Sequence, residues 1–198
     1  MSASVLSLPA RAKLNLVLRI VGRRHDGYHL LDTLFHALEL HDDLVLSLAP
    51  QGIALTVTAE HASLQVAPGP DNLVERALRR FADAAGYRGG FVAQLHKRIP
   101  HGGGLGGGSS DAAAALRLAN ELLGRPLTDA ALAQLGVSLG ADVPFFFRGG
   151  SQWGRGIGDE LSPANVPPRW FVLLVPPYGC PTVDVYKSHA AHWKQDSL

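Results

Sequence analysis

At 198 residues the chain has room for one large domain, or for one domain and part of another. It is 46% hydrophobic and 18% charged, enough apolar material to bury a core. A formal net charge of +1 leaves no broad basic footprint for nucleic acid or for an anionic membrane. The single cysteine, Cys180, excludes a disulfide framework and a cysteine-based zinc site, and fits a reducing cytoplasm. The stretch from Met1 to Pro9 lacks the basic start and long apolar stretch of a signal peptide. No apolar run is long enough to span a bilayer. No internal repeat is present.

Val5 to Leu8 is a short apolar run that ends at Pro9. From Lys13 to Ile20 polar and apolar residues nearly alternate, which predicts a half-buried strand. Lys13 and Asn15 are two apart and share one face, either as solvated positions or as the floor of a site. Asp26-Gly27 signals a turn, with Tyr28 and His29 directly after it. These two either meet a ligand or pack the turn. Leu30 to Leu40 reads as strand or irregular chain. Leu44–Leu48 and Ile53–Thr58 are strands, and the turn at Pro50-Gln51-Gly52 predicts a hairpin between them. Asp71 is placed to cap a helix over residues 72–85, with Leu73, Ala77, Leu78, Phe81 and Ala84 as its apolar stripe and Gly86 as its stop.

Phe91 to Ile99 is a further strand. It delivers His96, Lys97 and Arg98 to the mouth of an unusual segment, either as plain basic positions or as partners for phosphate. That segment, residues 100–111, is half glycine and runs into the alanine-rich helical pattern of Ala112 to Leu123. Glycine costs backbone entropy, so such a run needs a reason. Amides without side chains form a concave donor surface, and a helix N-terminus behind them adds partial positive charge. The segment reads as a phosphate-binding loop; a flexible Gly-rich linker is the alternative. The Walker A pattern needs a lysine after its second glycine, and Ser109-Ser110 follow Gly108 instead. Gly102, Gly104 and Gly107 satisfy G-x-G-x-x-G, but the next element is a second helix, so the dinucleotide-binding unit is not built there. That second helix begins at Thr128, carries Leu132, Leu135 and Leu139, and stops at Gly140. Asp142 then stands between this stop and the apolar run Phe145–Phe147, read as a strand; an aspartate there is commonly a turn residue. Residues 149–161 read as a sharply turned hairpin, residues 163–168 as a linker, and Trp170–Val175 as a buried strand. His189 and His192 form a histidine pair in a polar tail, where solvent exposure is the ordinary outcome.

The segment Pro100 to Ala113 resembles the ATP motif of the GHMP kinases. Four further stretches match the family in order: Pro9-Ala-Arg-Ala-Lys13-Leu-Asn15-Leu, Asp26-Gly-Tyr-His29, Asp71-Asn-Leu73 and Gly140-Ala-Asp-Val-Pro144. The resemblance implies an α+β fold, a mixed sheet with helices on one face, similar to a domain found in ribosomal proteins. It implies residues 1–162 as the N-terminal ATP-binding and catalytic domain. Residues 163–198 would be a linker and the incomplete beginning of a second α+β domain, since family members continue further and place their substrate between the two. Asp142 would take the proton from the substrate hydroxyl, with Lys13 beside it orienting the carboxylate and offsetting charge. Pro100, His101, Gly102, Gly103, Gly104, Leu105, Gly106, Gly107, Gly108, Ser109 and Ser110 would wrap the triphosphate of ATP. Asn72 and Lys97 would lie near its adenosine. The Asp-Gly-Tyr-His element favours a branch acting on a cytidine-diphosphate-linked polyol of isoprenoid precursor synthesis over mevalonate or homoserine kinases. In that branch Asn15 and His29 would hold the substrate, Tyr28 would stack on cytosine, and Tyr186 would face it from the other side. Mg2+ would bridge phosphate oxygens, with no dedicated protein ligands. The partner would be a small molecule, not a nucleic acid or membrane. Rival readings are a catalytically inactive ATP-binding module, a GHMP kinase for another small alcohol, and a non-enzymatic RNA-associated protein. The Lys13–Asp142 pair and near-zero charge weigh against the last.

Overall fold

The computed structural model describes residues 4–175 and Val185; Cys180, Tyr186 and the pair His189 and His192 lie outside the described residues. Its frame is one long antiparallel pair. Strand β1, Val5–Arg23, runs beside β2, His29–Ala49, from Val5 opposite Ser47 to Arg23 opposite His29. The expected break at Pro9 does not occur. Among the described residues β1 pairs only with β2 and is an edge there, where a missing N–H is tolerated. Register shifts at Arg11/Lys13, Asn15/Val17 and Ile20/Gly22 bend the pair along its length. The turn at its tip uses Gly27 at φ 92°, and Tyr28 N–H donates to the Asp26 carboxylate at 3.2 Å.

Next come β3 (Ile53–Ala59), a single 3-10 turn (Ala62–Leu64), α1 (Leu73–Ala85) and β4 (Gly90–Lys97). The hairpin expected between β2 and β3 is not formed. β4 inserts between them, antiparallel to β2 and parallel to β3. The turn at residues 50–52 instead packs on Gly90, where a Cβ would lie 2.2 Å from the Gly52 carbonyl oxygen. The crossover through α1 thus decides the pairing. Helix α1 is capped by Asn72 rather than Asp71: the Asn72 side chain accepts from Val74 N–H at 2.9 Å and donates to the Ala67 carbonyl at 3.0 Å. Gly86, in the left-handed region, ends it as expected.

Helix α2, Gly107–Leu122, begins inside the glycine run, earlier than its alanines suggest. Asn120 bonds both the N–H and the carbonyl of Leu127 and fixes the turn to α3, Asp129–Leu139, which Thr128 caps. Phe145–Phe147 is not a strand. Pro144 takes helical angles, residues Phe145–Arg148 form the one-turn helix α4, and Gly149 at φ 65° ends it. Buried Gln152 donates to the carbonyls of Phe145 and Gly149 and binds α4 to β5. Strands β5 (Ser151–Arg155) and β6 (Glu160–Pro163) form the expected hairpin.

The six strands make a mixed sheet in the order β3-β4-β2-β5-β6, with β1 along the other edge of β2. β4 takes Asp43–Ala49 of β2 and β5 takes Thr33–His36, so one strand carries both halves of the domain. The helices cover one face. Leu44, Leu46, Phe91 and Leu95 meet Val74, Leu78 and Phe81 of α1 and the alanines of α2 there. Alanine lets α2 lie close to the sheet. The other face holds a smaller cluster of Ala12, Leu38, Ile99 and Leu105, flanked by Phe171 and Leu173. Residues Trp170–Val175 are not a buried strand. No strand partner is present among the described residues, and Trp170, Val172 and Leu174 stay exposed while Phe171 and Leu173 face the cluster.

Candidate active site

The glycine loop leaves β4 and returns through Gly106 into α2. Gly102, Gly104 and Gly106 adopt φ of 72°, 70° and 71°, a region that L side chains rarely enter. Gly106 also needs to be bare for contact: its Cβ would meet Phe146 at 2.8 Å and Lys13 at 3.0 Å. Leu105 anchors the loop by burying its side chain in the smaller cluster, and its carbonyl accepts from Lys13 N–H at 2.9 Å. Helix α2 has no side-chain cap and no acidic residue in its first turn. A helix start of this kind can receive an anion on its leading N–H groups. Gly108 lies against Leu73, so the start of α1 and its cap Asn72 border the loop.

Beside the loop, Lys13 is only 5% exposed. Its ammonium lies 3.3 Å from Asp142, donates to Asn15 Oδ1 at 2.6 Å and stands 5.4 Å from the centre of the Phe35 ring. Asn15 Nδ2 donates to Thr33 Oγ1 at 2.7 Å, and Thr33 donates on to the Val17 carbonyl. The chain Asp142–Lys13–Asn15–Thr33 therefore joins the turn before α4 to β1 and β2. The side chain of Asp142 is one-third exposed and open to a reacting partner. Sequence reasoning missed Thr33 and Phe35; each is one of many apolar or hydroxyl residues in a strand, and only the pairing with β1 reveals them.

Lys97 differs most from its expected setting. It is 3% exposed, and its ammonium bonds Asp42 and, at 2.7 Å, Asp111. Asp42 Oδ1 also accepts from the N–H groups of Arg98 and Ile99 at 2.5 and 2.8 Å. Burial works against the Lys97 charge, yet the two carboxylates hold its pKa above the ordinary lysine value. Burial pushes the Asp111 carboxyl up to about 7; Lys97 pulls it down and Asp42 adds to the rise. Asp111 Oδ1 is buried, with no hydrogen-bond partner among the described residues. Neither carboxylate was picked out from sequence, because an aspartate near a helix start or a strand end is ordinary.

Tyr28 and His29 lie at the tip of the β1–β2 arm, not beside Lys13. From Lys13 to Arg23 the strand would span on the order of 30 Å if straight, and the two bulges within that stretch shorten the reach. Tyr28 is 58% exposed, and His29 is half-buried. Tyr186 lies outside the described residues. Among the described residues no three His, Cys, Asp or Glu side chains gather to hold a metal ion. No helix among them is long and apolar enough to cross a membrane.

The fold and the loop point to a class. Residues 72–150 match the family described as GHMP kinases N terminal domain. The relatives are more particular. The chain is 44% identical over 178 residues to 4-diphosphocytidyl-2-C-methyl-D-erythritol kinase of Aromatoleum aromaticum, covering 90% of this chain and 61% of the relative. It is 46% identical over 180 residues to the protein of that name from Xanthomonas oryzae, covering 91% and 60%. The chain thus spans about three-fifths of the length of these curated relatives. A crystal structure of 4-(cytidine 5'-diphospho)-2C-methyl-D-erythritol kinase superposes with a TM-score of 0.70 at 41% identity, over 82% of this chain and 56% of that one. Homoserine kinase from Cytophaga hutchinsonii shares the fold, with a TM-score of 0.62 at 20% identity, over 82% of this chain and 51% of that one.

Proposed function

We propose that this chain is the nucleotide-binding and catalytic part of a small-molecule kinase that uses ATP to phosphorylate the 2-hydroxyl of 4-diphosphocytidyl-2-C-methyl-D-erythritol in the cytoplasm. The observation that carries the reading is the Lys13–Asp142 pair at 3.3 Å, on a lysine whose own N–H holds the glycine loop through Leu105. A base and a cation beside an anion cradle suit phosphoryl transfer, which needs positioning and charge stabilisation above all. The names of the relatives support the choice of substrate.

In this reading residues 1–162 form the unit that does the chemistry. The bare N–H groups of the loop and of α2, residues 100–110, hold the triphosphate, and Asn72 borders the adenosine. The substrate oxygen attacks the terminal phosphorus as the bond to the bridging oxygen of ADP breaks, and the hydroxyl proton passes to Asp142. Lys13 holds Asp142 in place, while Asn15 and Thr33 hold Lys13. Mg2+ would arrive with the nucleotide and supply charge neutralisation at its phosphates; the glycine cradle, residues 100–110, which lacks acidic side chains, suits a nucleotide that brings its own cation. Tyr28 and His29 meet the cytidine end, with Tyr186 as the second aromatic face. Lys97 serves the nucleotide from below the loop.

An ADP-release assay with cytidine-diphospho-methylerythritol tests the reading. We expect substrate-dependent turnover that falls by about 10²–10⁴-fold in Asp142→Asn with ATP still bound. Turnover that survives the substitution removes Asp142 as the base. Turnover with mevalonate in place of the cytidine compound overturns the substrate, and ATP binding without any turnover shows a nucleotide-binding module.

A further inference from the structure

Two carboxylates that the proposed chemistry does not use flank Lys97, buried under the glycine loop. Asp42, on β2, receives the N–H groups of Arg98 and Ile99, where the chain enters the loop. Asp111, on α2, stands where the chain leaves it, directly after Ser110. Lys97 Nζ bonds both carboxylates, and it lies 3.4 Å from where a Cβ on Gly107 would be. Entrance and exit of the loop are therefore fastened to one ammonium.

We propose that Asp111 is a positioning residue of the nucleotide loop: with Lys97 and Asp42 it ties the loop's two ends together and sets the charge beneath its phosphate cradle. The inference rests on the reading of the loop as a site for ATP.

The charge count gives the consequence. Two carboxylates and one ammonium leave one uncompensated negative charge when all three are ionised. A proton on Asp111 removes it. The charged groups facing Asp111 are Lys97 from β4 and Asp42 from β2, and the first turn of its own helix holds no other acid. Burial raises its pKa to about 7, so the uncompensated charge emerges as pH rises through neutrality. A triphosphate above the cluster is then repelled. By linkage, bound ATP favours the protonated carboxyl. The unpartnered Oδ1 fits a carboxyl whose second oxygen bears a proton better than it fits a full buried carboxylate.

Calorimetric titration of Mg2+-ATP into the 198-residue chain between pH 6 and 8.5 tests this, with Asp111→Asn and Asp111→Ala beside the wild type. Asparagine preserves volume and an oxygen for Lys97 but cannot ionise. We expect wild-type affinity to fall with pH by roughly tenfold more than that of Asp111→Asn, the two agreeing at pH 6. ATP's own ionisation is common to both proteins and cancels in the comparison. Asp111→Ala, which releases the tie, should bind ATP more weakly at every pH. A purely structural role would lower affinity in both variants and leave the pH slope unchanged, and that result overturns the proposal. Carboxyl carbon shifts of Asp111 in the wild type give a measure that needs no variant. A midpoint near 7 that ATP moves upward supports the proposal, and an ordinary carboxylate midpoint overturns it. No ATP binding by the wild type at any pH overturns the nucleotide reading and this inference together. ATP binding with equal slopes overturns this inference alone.

Discussion

Lys13 holds its position through polar contacts on one side and an aromatic face on the other. Thr33 terminates that arrangement and is fully buried. Thr33→Val keeps the shape but leaves the Asn15 amide without its acceptor. We expect a loss of about 1–3 kcal/mol in urea unfolding and a lower kcat with little change in KM for ATP. Asp111 gives a prediction of opposite character. Its folded pKa, about 7, lies above the ordinary 3.8, so the folded state binds the proton more tightly than the unfolded chain. Its contribution is full below the unfolded pKa and is lost as pH rises toward and through 7. The urea midpoint of the wild type should therefore fall between pH 5 and 8 relative to that of Asp111→Asn; parallel curves would refute the shift. At this scale the sequence was only partly legible. Lys13 and Asn15 could be placed on one face by their spacing alone. Lys97 could not be placed correctly, because its two carboxylates are far from it along the chain and nothing local marks them as partners.

Among the elements, the glycine loop was the most legible as structure, since so dense a run of glycine ahead of an alanine-rich pattern predicts a tight turn into a helix start. Its glycines are not equivalent. Gly104 and Gly106 share a left-handed backbone, but a Cβ on Gly104 meets nothing within 4 Å, while one on Gly106 meets Phe146 and Lys13. Gly104→Ala should thus cost only the backbone term, about 1–2 kcal/mol. Gly106→Ala should cost more and should also weaken ATP binding, by displacing Lys13 or the loop. Paired thermal melts and ATP titrations of the two variants decide this; equal effects would mean that contact at Gly106 is irrelevant. Two elements misled for physical reasons. Three phenylalanines in a row carry no period, so only the bounding Pro144 and Gly149 distinguish a helical turn from a strand. Likewise the alternation of β3 identifies a strand but not its neighbour, and the crossover helix α1 chose β4.

For the whole molecule, Trp170, Val172 and Leu174 form an exposed apolar row on an extended segment. Such a row promotes association. Replacing Trp170 and Leu174 with serine should lower concentration-dependent self-association in sedimentation experiments and leave the melting temperature nearly unchanged, because neither side chain contributes to the buried clusters. The two-faced sheet itself was legible only through family resemblance, since the order of strands depends on contacts remote in sequence. The division of β2 between two partners has a consequence in time. β4 meets β2 with Asp43 opposite His96, whereas β5 meets it with Thr33 opposite Gly154. The second closure spans far more chain and is the slower to form. During synthesis, the strands and helices around the glycine loop emerge before β5. In pulse-labelled refolding, β4 amides should gain protection before β5 amides. The nascent chain would then shape its glycine loop first, and the turn bearing Asp142 would dock onto it last.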